Sequence, residues 1–145
     1  MPAKDRSQVF AKLHSYVDSN SLTYPKEVVT ELERWSDPSN PDPQYTWAKE
    51  NKGKATRHRF PFELVKEILA IVPGVCDPEK TGGEEADPYV LTLAVHLITQ
   101  GAHVTIVTDD RRDKPDKLSL ATAAGLLRIP SVPLKAFLES KNIWR

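Results

Sequence analysis

A chain of 145 residues can bury a core of its own, so a disulfide framework or a structural metal is not required for folding. Its single cysteine, Cys76, excludes an intrachain disulfide and fits a reducing, cytoplasmic setting. Twenty Lys and Arg balance twenty Asp and Glu, which excludes nucleic-acid binding by bulk attraction but allows a local basic patch beside a local acidic site.

In chain order, apolar positions Val9, Phe10, Leu13, Tyr16 and Val17 have helical spacing, and Asn20 with Ser21 closes that helix. Residues 22–24 read as extended, because Pro25 biases its predecessor away from helix. Pro25 opens a helix over 26–35 with Val28, Val29, Leu32 and Trp35 on its apolar side. Pro38, Pro41 and Pro43 make 36–44 a loop, and a short helix is expected over 45–51. A basic stretch follows, with Lys49, Lys52, Lys54, Arg57, His58 and Arg59. Pro61 opens a helix carrying Leu64, Val65, Ile68, Leu69 and Val72, which Pro73 and Gly74 stop. Residues 77–85 are polar, contain Gly82 and Gly83, and read as a mobile loop.

The second half is the better defined. Asp87 and Pro88 read as N-cap and first residue of a helix with Val90, Leu93, Ala94, Leu97 and Ile98 as its stripe, ended by Gly101. Residues 104–107, Val-Thr-Ile-Val, predict an interior parallel strand with helices on both faces. A helix over 118–127, a short strand over 129–132 and a last helix over 133–140 complete the pattern. Helix, strand, helix, strand is the signature of a right-handed parallel α/β unit, and the whole of 1–145 reads as one domain. No apolar core like that of a secretion signal opens the chain, and no apolar run has membrane-spanning length, so a membrane partner is not expected.

Three acids stand out by position. Asp110 follows the carboxyl end of the strand, where ligands of open parallel sheets bind; Asp109 and Asp110 equally suit a plain turn. Asp87 opens the preceding helix, which a simple N-cap would also explain. Glu31 flanks the apolar side of its helix, as a solvated edge residue would too. Carboxylates brought close repel one another unless a cation intervenes, and hard oxygen ligands favour Mg2+ or Mn2+. The four histidines, His14, His58, His96 and His103, are scattered and show no metal-ligand spacing with Cys76, and His96, between apolar helix positions, reads as structural. Cys76 has no histidine near it in sequence to activate it as a nucleophile.

The run Asp87-Pro88-Tyr89-Val90-Leu91-Thr92-Leu93-Ala94, then Val104-Thr105-Ile106-Val107-Thr108-Asp109-Asp110, resembles the second half of PIN domains. The tail from Ala124 through Ile129-Pro130-Ser131-Val132-Pro133-Leu134 to Phe137-Leu138 resembles the PIN ending, and Leu22 to Leu32 resembles the segment carrying the second PIN acid. The resemblance, to bacterial PIN-like proteins similar to VapC-type toxins, covers nearly the whole chain. It implies an α/β, three-layer fold with a central parallel sheet and helices on both faces. It implies a metal-dependent ribonuclease, the toxin of a toxin–antitoxin pair, with Mg2+ or Mn2+ held by Glu31, Asp87 and Asp110, and Asp109 as a substitute for Asp110. RNA, an antitoxin protein and a second copy of the chain are the implied partners. The opening PIN strand with its aspartate has no counterpart before Val9. The expectation is therefore either a chain starting after that strand or a divergent member lacking one ligand, and the alternative function is a non-catalytic PIN-like binding module.

The basic stretch, with Trp47 and Phe60 at its borders, is expected to track an RNA backbone through Lys52, Lys54, Arg57 and Arg59, or else to be a solvated face. A nucleotide-binding α/β protein is a weaker third reading, because no glycine-rich phosphate loop is present.

Overall fold

The computed structural model describes residues 3–76 and 85–143, so the loop expected over 77–85 lies outside the described residues except for Glu85. Helix α1 (Ala3–Asp18) begins earlier than the apolar spacing implied, since the polar residues ahead of Val9 are mostly tolerable helix formers and extension is cheap once a helix is nucleated. Helix α2 (Lys26–Trp35) has the expected bounds, and the fixed φ of −76° at Pro25 sets its entry. Val29 is buried but Trp35 is 71% exposed, contrary to the expected stripe. Trp35 stands six positions on, about 120° round the helix from Val29, and so leaves the packed side.

Helices α3 (Pro43–Glu50) and α4 (Lys52–Ala55) fold back on α1. Trp47 lies between Phe10 and Tyr24, with ring centroids 6.0 Å away in each case, and its Nε1 donates to the Phe10 carbonyl at 3.1 Å. The Tyr24 hydroxyl donates to the Ala48 carbonyl at 2.7 Å, and burial pushes its phenol up to about 12.

Helix α5 (Phe62–Ile71) follows Pro61 as expected and runs into a 3-10 turn, Pro73–Val75. Helix α6 (Asp87–Thr99) comes next, then β1 (Ile106–Val107), α7 (Leu120–Leu126), β2 (Ser131–Val132) and α8 (Leu134–Ser140). The α6 face is rotated from expectation: Leu91 and Thr92 are fully buried, whereas Ile98 is 41% exposed. Nearly every residue from Val90 to Ile98 is apolar, so spacing alone cannot say which side faces inward.

β1 and β2 pair in parallel, Ile106 with Ser131 and Val107 with Val132. The strands are shorter than the runs over 104–107 and 129–132, because pairing is confined to the stretch where both backbones lie side by side. The pair is framed by Ile106 N–H to the Pro130 carbonyl at 2.9 Å and Thr108 N–H to Val132 at 3.0 Å. Among the described residues β1 has one strand neighbour, so the expected interior position is corrected to that of a paired strand. The architecture is a helix-rich mix of α and β with one small parallel sheet. Its core joins Ile68, Val72 and Val75 to Leu91, Ala94 and Ile106, and to Leu120, Ala123, Ala124 and Ile129. That core fixes α5, α6, β1 and α7 together, and the carboxyl end of β1 opens beside the amino end of α6.

Candidate functional site

The segment after β1 is tightly organised. Asp110 takes a hydrogen bond from the Leu120 N–H through Oδ2 at 3.0 Å, and its backbone N–H donates to Thr108 Oγ1 at 3.0 Å. Lys114 and Lys117 exchange backbone hydrogen bonds at 2.8 and 3.2 Å around Pro115 and Asp116, a turn suited to a proline in its second place. Asp113 accepts the Ser119 N–H at 2.9 Å, and that bond, with the Thr122 hydroxyl, holds its carboxyl below the usual range. Leu118 donates its N–H to the Gly74 carbonyl at 2.7 Å, and a Cβ on Gly74 would meet Leu118 Cγ at 3.0 Å, so glycine permits this close approach. These bonds swing Lys117 back across the end of α6.

The result is a cleft of about 380 Å³. It is lined by four acids, Glu31, Glu85, Asp87 and Asp110, and by three cations, Arg112, Lys114 and Lys117. Lys117 Nζ lies 3.3 Å from Asp87 Oδ2 and 4.0 Å from Asp110 Oδ2. The Lys117 and Asp87 side chains are 16% and 22% exposed, so this pair is shielded from solvent. Burial pushes the Asp87 carboxyl up, Lys117 pulls it back, and Glu31 and Asp110 push it up again, leaving it above the usual range. For Lys117, burial acts downward, but the charges of Asp87, Asp110 and Glu85 together hold the ammonium above its usual range.

Glu31 reaches the cleft from α2 and accepts the Ala86 N–H through Oε2 at 2.7 Å, which ties α2 to the start of α6. Ala86, not Asp87, occupies the N-cap place of α6, so the expected N-cap role of Asp87 is corrected. With Asp87 already inside the first turn, its carboxylate faces Lys117. The three expected acids thus line one cleft, although they come from three separated parts of the chain. Among the described residues no three Asp, Glu, His or Cys side chains are gathered tightly enough to form a metal-holding group.

Asp109 is not part of this cleft. Its Oδ1 accepts the Leu134 N–H at 2.9 Å, at the amino end of α8, where a carboxylate satisfies a donor the helix cannot. The chain bends at Asp109, and its side chain and that of Asp110 take backbone donors from different helices, α8 and α7. Sequence reasoning missed Lys117 and Glu85. The Pro115-Asp116 turn signals a reversal before Lys117, but nothing local says where the reversal points. Glu85, only 5% exposed, closes a polar run that looked like solvent-facing loop. Burial and the adjacent Glu85 push the Cys76 thiol up, the opposite of what a nucleophile requires.

The four expected RNA-binding cations divide into two pairs. Lys54 binds Asp18 at 2.8 Å, and Arg57 donates to the Val17 carbonyl at 2.9 Å and to the Lys54 carbonyl at 2.6 Å, so both fasten the carboxyl end of α1 to α4. Lys52 and Arg59 instead line a second cavity, of about 430 Å³, with Lys26, Phe60, Phe62 and Tyr89. His96 is half-buried, as expected, with its ring 6.2 Å from that of Phe60.

Among the described residues, no helix is long and apolar enough to cross a membrane. Comparison with protein-family models, with curated proteins and with solved structures finds no match to this chain.

Proposed function

We propose that the cleft is a hydrolytic site for RNA phosphodiesters, of the PIN type that the motifs resemble, within a three-layer fold whose parallel unit is β1 and β2. The observation that carries this reading is the placing of Glu31, Asp87 and Asp110, from three separated segments, on one cleft that Arg112, Lys114 and Lys117 also line. Clustered carboxylates suit a hard cation, and cations lining the same cleft suit the phosphate that such a cation would serve.

The donor set fits Mg2+ or Mn2+: carboxylate oxygens only, two of them already sharing one positive charge at Lys117. Mg2+ usually keeps several waters and needs only one or two protein carboxylates, so Asp87 and Asp110 would hold it, with Glu31 beside them. Such a cation supplies an activated water and stabilises charge on a scissile phosphate. The chain's own part is to hold the acids ionised and to seat the phosphate. Lys117 offsets part of the burial that disfavours the charged form of Asp87, and Arg112 and Lys114 offer charge to the substrate backbone. An antitoxin that covers this cleft, and a homodimer, belong to the same reading by resemblance alone.

A second reading, a binding module without catalysis, is favoured by Lys117 itself. Its ammonium already neutralises Asp87 and Asp110, as a metal would. Calorimetric titration with Mg2+ and Mn2+, beside cleavage of a fluorescent single-stranded RNA with and without metal, separates the two. The nuclease reading expects metal binding and metal-dependent cleavage in the wild type and the loss of both in an Asp87→Asn, Asp110→Asn variant. RNA binding with neither metal uptake nor cleavage would leave the binding module standing.

A further inference from the structure

The second cavity lies between α2, α4 and the segment that leads into α5. Lys26, Lys52 and Arg59 on its wall make no ion pair or side-chain hydrogen bond among the described residues, and Glu27 is the one acid among the described lining residues. Three cations against one carboxylate make this a local positive patch on a chain of zero net charge. Three aromatic rings, Phe60, Phe62 and Tyr89, line the same space, and Phe62 is 55% exposed. Unpaired cations beside accessible rings are what a nucleotide needs: charge for its phosphate and a π-face for its base.

The two cavities share their supports. Helix α2 gives Glu27 to one and Glu31 to the other, and α6 gives Tyr89 to one and Asp87 to the other.

We propose that the second cavity holds one nucleotide of a single-stranded RNA, its phosphate on Lys52, Arg59 and Lys26 and its base against Phe60, Phe62 and Tyr89, while the strand continues into the acidic cleft that shares α2 and α6. The proposal rests on the nuclease reading for what happens in that cleft, but the binding it describes needs no metal. Base-paired RNA is disfavoured, because a base engaged in a duplex cannot reach the rings.

The test is binding of fluorescein-labelled hexauridylate in EDTA, so that cleavage plays no part. The expected result is at least about tenfold weaker binding for Lys52→Ala, Arg59→Ala, with the slope of log K against log salt reduced by about 0.7, as the loss of one single-strand phosphate contact predicts. Phe62→Ala, at an exposed ring whose removal spares the core, should weaken binding several-fold without changing the salt slope. Lys141→Ala, an exposed charge at the end of α8, should change neither quantity. Equal affinity and slope in the wild type and the Lys52→Ala, Arg59→Ala variant overturn the proposal. Uridine monophosphate binding as tightly as the hexamer overturns it in favour of a free-nucleotide site. Hexamer binding that behaves as expected, with no cleavage in Mg2+, overturns the nuclease reading and leaves this site in place. Cleavage that is untouched in the Lys52→Ala, Arg59→Ala variant does the reverse.

Discussion

At the scale of single residues, the chemistry of the cleft turns on Lys117. Its ammonium is the counter-charge that offsets part of the burial cost of the Asp87 carboxylate. Lys117→Met should therefore cost about 1–2 kcal/mol of stability near neutral pH, less than a fully buried pair would, since both side chains retain some exposure. The sign of its pH dependence is fixed. The folded carboxyl of Asp87 lies above its unfolded value, so the native state binds more protons in the window between the two, and this group's contribution falls as pH rises through that window. Without Lys117 the carboxyl rises further, so the loss should be largest near pH 8 and shrink as pH falls below the ordinary carboxylate range to about pH 3, where Asp87 is mostly protonated in both states. Urea unfolding at the two ends of that range checks it; a loss independent of pH would show that Lys117 acts by packing alone. Arg128 presents a simpler case. It stands at φ 60° just beyond α7, where a side chain is strained and glycine is not. Arg128→Gly should raise stability by about 0.5–1 kcal/mol, read as a higher urea midpoint at unchanged slope.

At the scale of elements, one device recurs. Helices α1, α6, α7 and α8 each end in a residue of positive φ, namely Asn20, Gly101, Arg128 and Asn142. In each case the next residue donates back to a carbonyl five positions earlier: Ser21 to Tyr16, Ala102 to Leu97, Ile129 to Ala124 and Ile143 to Leu138. The stops at Asn20 and Gly101 were legible, because those residues tolerate positive φ; the stop at Arg128 was not, because arginine carries no such signal. The start of α7 is set by Ser119, whose Oγ accepts the Thr122 N–H at 3.1 Å and which is 1% exposed. Ser119→Ala should destabilise by about 1–2 kcal/mol, since it strands that donor in a dry place. Because α7 also carries the Leu120 N–H that holds Asp110, the same change should, if the cleft takes Mg2+, weaken that binding, measured by calorimetry beside the unfolding curve. Intact metal affinity in that variant would mean that Asp110 is positioned without α7.

At the scale of the whole molecule, ligand binding and folding are linked. If the cleft takes Mg2+ in the folded state only, a free concentration of about ten times Kd should add about 1.4 kcal/mol and raise Tm. The Asp87→Asn, Asp110→Asn variant should show no such rise in differential scanning fluorimetry, whatever its own Tm. The sequence by itself determined the number and order of the helices in the second half, the bounds of α2, the parallel β1–β2 unit, and three of the acids that meet in the cleft. These follow from proline and glycine punctuation, from β-branched runs and from the position of an acid after a strand, all of which act within a few residues. Only the tertiary structure decided which face of α6 is buried, that Asp109 serves α8 while Asp110 serves the cleft, that Lys54 and Arg57 fasten α1 while Lys52 and Arg59 line a cavity, and that Lys117 closes the site. Each of these depends on a partner distant in sequence, as between Glu31 and Ala86 or Lys117 and Asp87. Local propensity carries no information about such a partner, because the energy that selects it appears only when the core of α5, α6, β1 and α7 has brought the two together.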